Sequence, residues 1–166
     1  YPHLGYIHRG VEKISESYVY PQTLAFADRL DYLSATMNRH ALVGVIEEAM
    51  GVELTDRIKY IRTIMDELQR LNSHLLFYSC CAQDVGALTA FIYGMRDREQ
   101  VINVMEETTG GRLIMNYYRI GGCQADIDPN FVQNVKRLCA YMKPMFREYQ
   151  DVFTGNVIME NRFKGV

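Results

Sequence analysis

The strongest constraint in the chain is an apolar stripe that begins at Thr55-Asp56 and runs to about Cys81. Ile58, Ile61, Met65, Leu68, Asn72 and Leu75 recur at three- and four-residue spacing, with Asn72 as the polar interruption. Ser79 stands at the next position and would fit a small interior slot. Thr55 suits an N-cap, and Asp56 complements the helix dipole. Neither Gly nor Pro breaks the run, so it predicts a rod of roughly 40 Å. So long a helix with one apolar face is the central strut of a bundle. Glu67 and Arg70 are spaced to pair across one turn. His74, among Leu71, Leu75 and Leu76, reads as a core histidine with a satisfied proton rather than a ligand.

The rest of the chain supplies partners for that strut. Residues 1–10 read as a loop with His3, His8 and Arg9 as its polar content. The two His residues, five apart on irregular chain, are weak evidence for a metal. Arg9 stands at a helix start, where the dipole disfavours a cation, so it invites a specific partner. Val11–Ser17 is a short helical stretch, broken at Tyr18–Gln22. A helix is expected from about Thr23 to Met50, with Pro21 at its opening, a possible bend near Ser34–Asn38 and Gly51 as its stop. Another is expected from Phe91 to Thr108 despite Gly94, carrying Arg96–Glu99 as a solvated charged turn. Thr109–Arg112 is a break, Leu113–Ile120 a short amphipathic element, and Gly121-Gly122-Cys123 a tight turn. Asp128-Pro129 opens a last helix, about Pro129 to Thr154, with Asp128 as N-cap and Pro144 as a kink or interruption. No strand alternation of any length stands out, so the fold class is all-α, a helical bundle with long antiparallel members.

Composition excludes several function classes. The 166 residues are 48% apolar and 23% charged with net charge −2, which is ordinary globular composition without the basic excess of a nucleic-acid binder. No run of 18 apolar residues offers a membrane span. The four cysteines, Cys80, Cys81, Cys123 and Cys139, form no C-x-x-C, so buried thiols acting as small apolar residues are favoured over ligation, and no metal is expected. The chain opens on Tyr1 rather than Met. Residues 1–166 are therefore expected to be a single helical domain cut from a longer protein.

Two stretches carry candidate chemistry. Asp28 to Asn38 places Asp28, Arg29, Asp31, Tyr32, Ser34 and Asn38 beside Leu30, Leu33 and Met37, which are spaced for one helix face. A phenol at the rim of such a face is a hydrogen-bond donor on an apolar body, suited to a carbonyl on a greasy ligand. A packed Tyr with a satisfied hydroxyl is the plainer alternative. Gln83–Thr89 ends the strut with Asp84 beside small residues. Asp84 is either an N-cap for the next helix or a carboxylate at a cavity mouth, placed to orient a His or exchange protons.

Six segments, in this order, resemble one family: P-H-L-G-Y-I-H-R-G-V-E-K (Pro2–Lys13), D-R-L-D-Y-L-S (Asp28–Ser34), Y-I-R-T-I-M-D-E-L-Q-R-L-N-S-H (Tyr60–His74), D-V-G-A-L-T (Asp84–Thr89), R-D-R-E (Arg96–Glu99) and R-I-G-G (Arg119–Gly122). The chain is similar, over essentially its whole length, to the central part of the D subunit of the proton-pumping NADH:quinone oxidoreductases, respiratory complex I. That family's N-terminal quinone-loop segment and its C-terminal third have no counterpart in these residues.

The resemblance implies a nickel–iron-hydrogenase-large-subunit-like fold and a role at the quinone site. It implies that Tyr32 hydrogen-bonds the quinone headgroup, and that Asp84 pairs with a quinone-binding His of the N-terminal loop. It further implies that Arg9 lies against an iron–sulfur cluster held by the neighbouring B subunit, where a cation raises the reduction potential. The C subunit and the membrane-arm quinone-channel protein are the other implied partners, NADH binding elsewhere. The implied location is peripheral, on the cytoplasmic face of the bacterial inner membrane.

Large subunits of nickel–iron hydrogenases are the rival within the same fold. Their R-x-C-G-x-C motif falls on Arg29–Ser34, where Asp31 and Ser34 replace the nickel thiolates, so nickel is not expected. A helical module without site chemistry is the remaining alternative. By itself the chain is expected to be inactive and to self-associate.

Overall fold

The computed structural model describes every residue except Tyr6, His8, Arg9 and Val166. The expectation for Arg9 therefore lies outside the described residues. In order, the elements are α1 (Val11–Ser15), α2 (Tyr20–Ala27), α3 (Ala35–Met50), α4 (Asp56–Asp84), α5 (Leu88–Thr109), β1 (Tyr118–Arg119), β2 (Gly122–Cys123), α6 (Phe131–Tyr149), a π-helical turn (Gln150–Thr154) and α7 (Val157–Phe163). The fold is an all-α bundle with one very small antiparallel hairpin.

The strut is α4, 29 residues or about 43 Å long. The Thr55 hydroxyl accepts the amide of Ile58, and Ile61, Met65, Leu68, Asn72, Leu75 and Ser79 are all buried. The connection Val85–Ala87 is too short for anything but an antiparallel partner, and α5 packs back along α4. The two helices approach closely where Gly94 faces Ser79. A Cβ on Gly94 would overlap the Ser79 hydroxyl, which donates to the Leu75 carbonyl at 2.7 Å. Ser79 thus fills the small slot its spacing implied.

Val101, Val104 and Met105 of α5 complete the core with Leu138 and Met142 of α6 and Val43 of α3. Gly51 and Gly110, both at positive φ, end α3 and α5 as C-terminal glycines do.

Several elements depart from the sequence reading. Residues 23–50 are not one bent helix but two, α2 and α3, separated by the turn Asp28–Ser34. Leu30, Leu33 and Met37 consequently share no continuous helix face. Arg96–Glu99 lies within α5 as expected, with Arg96 and Glu99 exposed, but the turn is not solvated throughout: Asp97 is fully buried. Its carboxylate accepts the Tyr141 hydroxyl at 2.7 Å, the Tyr149 hydroxyl at 2.5 Å and the Arg96 Nε at 2.7 Å, tying α5 to α6. Burial alone would raise the Asp97 carboxyl, but those donors outweigh it and hold it below the ordinary carboxylate value.

His74 is exposed on the outer face of α4 rather than in the core. The last helix begins at Phe131, because the Asp128 carboxylate accepts the Asn130 amide and delays the first turn. It runs on through Pro144, which faces solvent between the buried Met142 and Tyr149. The change of winding comes later, in the π turn.

Candidate functional site

Asp28 ends α2 and is 1% exposed. A buried carboxylate must be met in kind. Arg39, equally buried on α3, supplies its Nε to one oxygen at 2.7 Å, and the amide of Asn116 donates to the other at 3.0 Å. Burial raises the Asp28 carboxyl above its ordinary value, and the Arg39 pairing and Asn116 amide offset this only in part. Arg39 also donates to the Tyr118 carbonyl at 2.9 Å and to the Asn116 side chain. Asn116 sits at φ +51, a conformation that these bonds from both sides hold in place.

The turn that carries Tyr32 hangs from this anchor. The Asp31 carboxylate accepts the Leu33 amide at 3.1 Å, and the Asp31 carbonyl accepts the Ser34 amide at 2.9 Å and the Asn38 side chain at 2.8 Å. Gln69, from the middle of α4, donates to the Leu33 carbonyl at 2.7 Å. Between these fixed points Tyr32 is 48% exposed, and its hydroxyl has no hydrogen-bond partner among the described residues. A groove of about 940 Å³ opens between α1, α2 and α3, walled by Tyr18, Val19, Phe26, Leu30, Leu42 and Val45; the Tyr32 turn reaches its wall through Leu30 and Asn38, while Tyr32 itself does not line it. A rigidly held, half-exposed phenol can donate to a carbonyl oxygen on a largely apolar molecule.

Asp84 lies at the far end of α4, exposed and without a hydrogen bond or ion pair among the described residues. It does not cap α5, whose N-cap position is Ala87. From Gln69 to Asp84 the helix rises about 22 Å. Neither Tyr32 nor Asp84 walls the groove between α1, α2 and α3 or the cleft between α5 and α7.

No group of three or more His, Cys, Asp or Glu side chains converges on a metal position among the described residues, and all four cysteines are free thiols. Asp31 and Ser34, at the thiolate positions of the hydrogenase motif, are engaged in the turn through the Asp31 carboxylate and the Ser34 amide.

Residues 84–166, half of the chain, match the family described as the respiratory-chain NADH dehydrogenase 49 kDa subunit. The chain belongs to this family. It is 66% identical over 164 residues to the C/D subunit of NADH-quinone oxidoreductase from Phocaeicola vulgatus, covering 99% of the chain and 32% of that protein. It is 65% identical over 162 residues to the corresponding protein of Bacteroides thetaiotaomicron, 98% of the chain and 31% of the relative. Against the D subunit of NADH-quinone oxidoreductase from Bacillus cytotoxicus it is 42% identical over 165 residues, 99% of the chain and 45% of the relative. The chain thus spans about a third of the C/D relatives and under half of the D relative.

This member of the 49 kDa family also carries a buried polar spine that inspection of the sequence missed. Glu47 on α3 accepts two hydrogen bonds from Arg62 on α4, at 2.8 and 2.7 Å, and one from the Gly121 amide at 2.7 Å. Burial would raise the Glu47 carboxyl, but these donors hold it below its ordinary value. Arg62 reaches on to the carbonyls of Arg119 and Gly122, clamping the hairpin. Nearby, Asp66 bridges His40, at 2.5 Å, and the buried Tyr118 hydroxyl, at 2.7 Å. Burial, with the Asp66 charge beside it, pushes the Tyr118 phenol well above its ordinary value, so it stays protonated. The available signal was spacing: Arg39, Val43 and Glu47 recur every four residues, which puts two charges on the face of α3 that packs inward.

Proposed function

We propose that this chain forms part of the quinone site of a proton-translocating NADH:quinone oxidoreductase, with Tyr32 as a proton donor to the quinone headgroup. The observation that carries this reading is the Tyr32 hydroxyl itself: without a partner among the described residues, half-exposed, and mounted on a turn fixed from α3 and α4. Tyr117, Tyr118 and Tyr149, which pack in the bundle, have their hydroxyls engaged, whereas Tyr78 packs there with its hydroxyl buried and without a partner among the described residues; Tyr32 differs from all four in holding its free hydroxyl at the surface.

Reduction of a quinone to a quinol takes two electrons and two protons. The electrons come from an iron–sulfur cluster on a neighbouring B subunit, beside Arg9. Tyr32 donates one proton through its hydroxyl. Asp84, exposed and unpaired among the described residues, serves the second by orienting and charging a His supplied from outside this chain. Quinone is thus substrate rather than resident cofactor.

Partners are further components of the peripheral arm, the C subunit among them, together with a membrane-arm protein at the quinone channel. The C/D name of the Phocaeicola and Bacteroides relatives supports the C subunit as a neighbour. The proposed position is peripheral, at the cytoplasmic face of the bacterial inner membrane; among the described residues no helix is long and apolar enough to cross a membrane.

Tyr32→Phe in the assembled complex tests the reading. It should lower quinone reduction by about 100-fold, the ordinary worth of a positioned proton donor. NADH oxidation by an artificial acceptor should stay at the wild-type rate. Unchanged quinone reduction would return Tyr32 to a packing role.

A further inference from the structure

We propose that Arg162 is a positioning residue for Asp84, so that α7 belongs to the same site despite lying far downstream in sequence. The proposal rests on Asp84 having the role given above.

Asp84 is the last residue of α4, so its carboxylate goes where the helix end goes. That end is built in a specific way. The amide of Ala87 donates to the Ala82 carbonyl at 2.7 Å, and the amide of Gly86 to the Gln83 carbonyl at 2.8 Å, with Gly86 at φ +84. This paired arrangement is the Schellman C-cap, which satisfies two of the open carbonyls. The Val85 carbonyl is left over, and a guanidinium nitrogen of Arg162 donates to it.

Arg162 does more than supply a donor. Its guanidinium lies over Gly86, where a Cβ would come 2.7 Å from one terminal nitrogen and 3.5 Å from the central carbon. Gly86 is therefore required for its positive φ, and its missing side chain leaves room for the end of the Arg162 side chain. A cation at this position also complements the negative end of the α4 dipole.

The helix that delivers Arg162 is itself anchored. The Asn156 side chain accepts the Ile158 amide at 2.9 Å, and Met159 is buried. Between α7 and the first turn of α5 lies a cleft of about 490 Å³, with Leu88, Val152 and Met159 in its walls. α7 thus reaches the turn that follows Asp84 across this cleft through the Arg162 side chain. Without the guanidinium the Val85 carbonyl turns to water, and the turn is free to carry Asp84 out of place. A misplacement of about 1 Å is enough to cost a proton-transfer geometry on the order of 100-fold.

The test uses the assembled enzyme with Arg162→Ala, Arg162→Lys and Asp84→Asn. Quinone reduction per assembled complex should fall at least tenfold in Arg162→Ala. The same limb of the pH–rate profile should move as in Asp84→Asn, with artificial-acceptor activity unchanged. Arg162→Lys, which keeps the charge and one donor, should recover part of the loss. A purely structural role would reduce the amount of assembled complex and leave the pH profile alone; that result overturns the proposal. Should Arg162→Ala fail to assemble, Arg162→Lys decides: a moved pH limb supports the proposal and a wild-type profile overturns it. If Asp84→Asn is itself silent, the reading of Asp84 falls and this proposal falls with it. An impaired Asp84→Asn beside an unaffected Arg162→Ala defeats only the present inference.

Discussion

Tyr32 can offer its hydroxyl because the residues around it do not. Asp28 is committed to Arg39 and the Asn116 amide, Asp31 to its own turn, and Asn38 to the Asp31 carbonyl. Removing one side of the buried Asp28–Arg39 pair strands a charge in the core. Asp28→Asn should therefore lower unfolding stability by about 3–5 kcal/mol. Replacing both partners together, Asp28→Leu with Arg39→Met, should cost less than the sum of the single changes. Denaturant unfolding of the single and double variants checks this; additive losses would mean that the two side chains are not coupled. At this scale the sequence made Tyr32 visible, since a phenol beside leucines is a local pattern. It did not reveal the Asp28 pair, whose partners stand 11 and 88 residues away.

At the scale of elements, α4 was legible almost residue by residue, because cap, stripe and small slot are all periodic features of one helix. The split between α2 and α3 was not. Apolar periodicity continues on both sides of Asp28–Ser34, and the break arises from polar bonds to α4 and to the chain around Asn116. Asp97 was misread for the same reason, as its hydroxyl partners come from α6. The close contact of α4 and α5 gives a sharp prediction. Gly94→Ala should destabilise the chain by about 1–3 kcal/mol through overlap with Ser79, and Ser79→Gly should recover part of that loss. Thermal unfolding of the single and double variants measures it.

The carboxyls of Asp97 and Glu47 lie below their ordinary values in the folded chain. The stability they contribute is therefore present above the ordinary carboxylate range of about 4, and is lost as pH falls through their lower folded values. Unfolding midpoints followed downward from neutral pH should show this loss, and Asp97→Asn should flatten it. An acid limb that is identical in Asp97→Asn would assign the effect elsewhere.

For the molecule as a whole, large apolar side chains are exposed on several elements. Tyr18, Val19, Tyr20, Leu30 and Val45 are exposed around the groove between α1, α2 and α3. Surface of that kind drives association when nothing covers it. Sedimentation of the chain at rising concentration should show self-association, reduced by Leu30→Lys with Val45→Lys; a strictly monomeric species would contradict this. The all-α class was legible from periodicity, and the resemblance carried the family. The link between Tyr32 and Asp84 came from the resemblance alone, and neither residue walls the groove between α1, α2 and α3 or the cleft beside α7.

The most direct measurement is photo-crosslinking of the assembled enzyme with a quinone bearing an azide on its headgroup, followed by mapping of the adduct. The account predicts labelling within Asp28–Asn38, centred on Tyr32 and blocked by excess natural quinone. Labelling that is competed by quinone but leaves this turn untouched would contradict it.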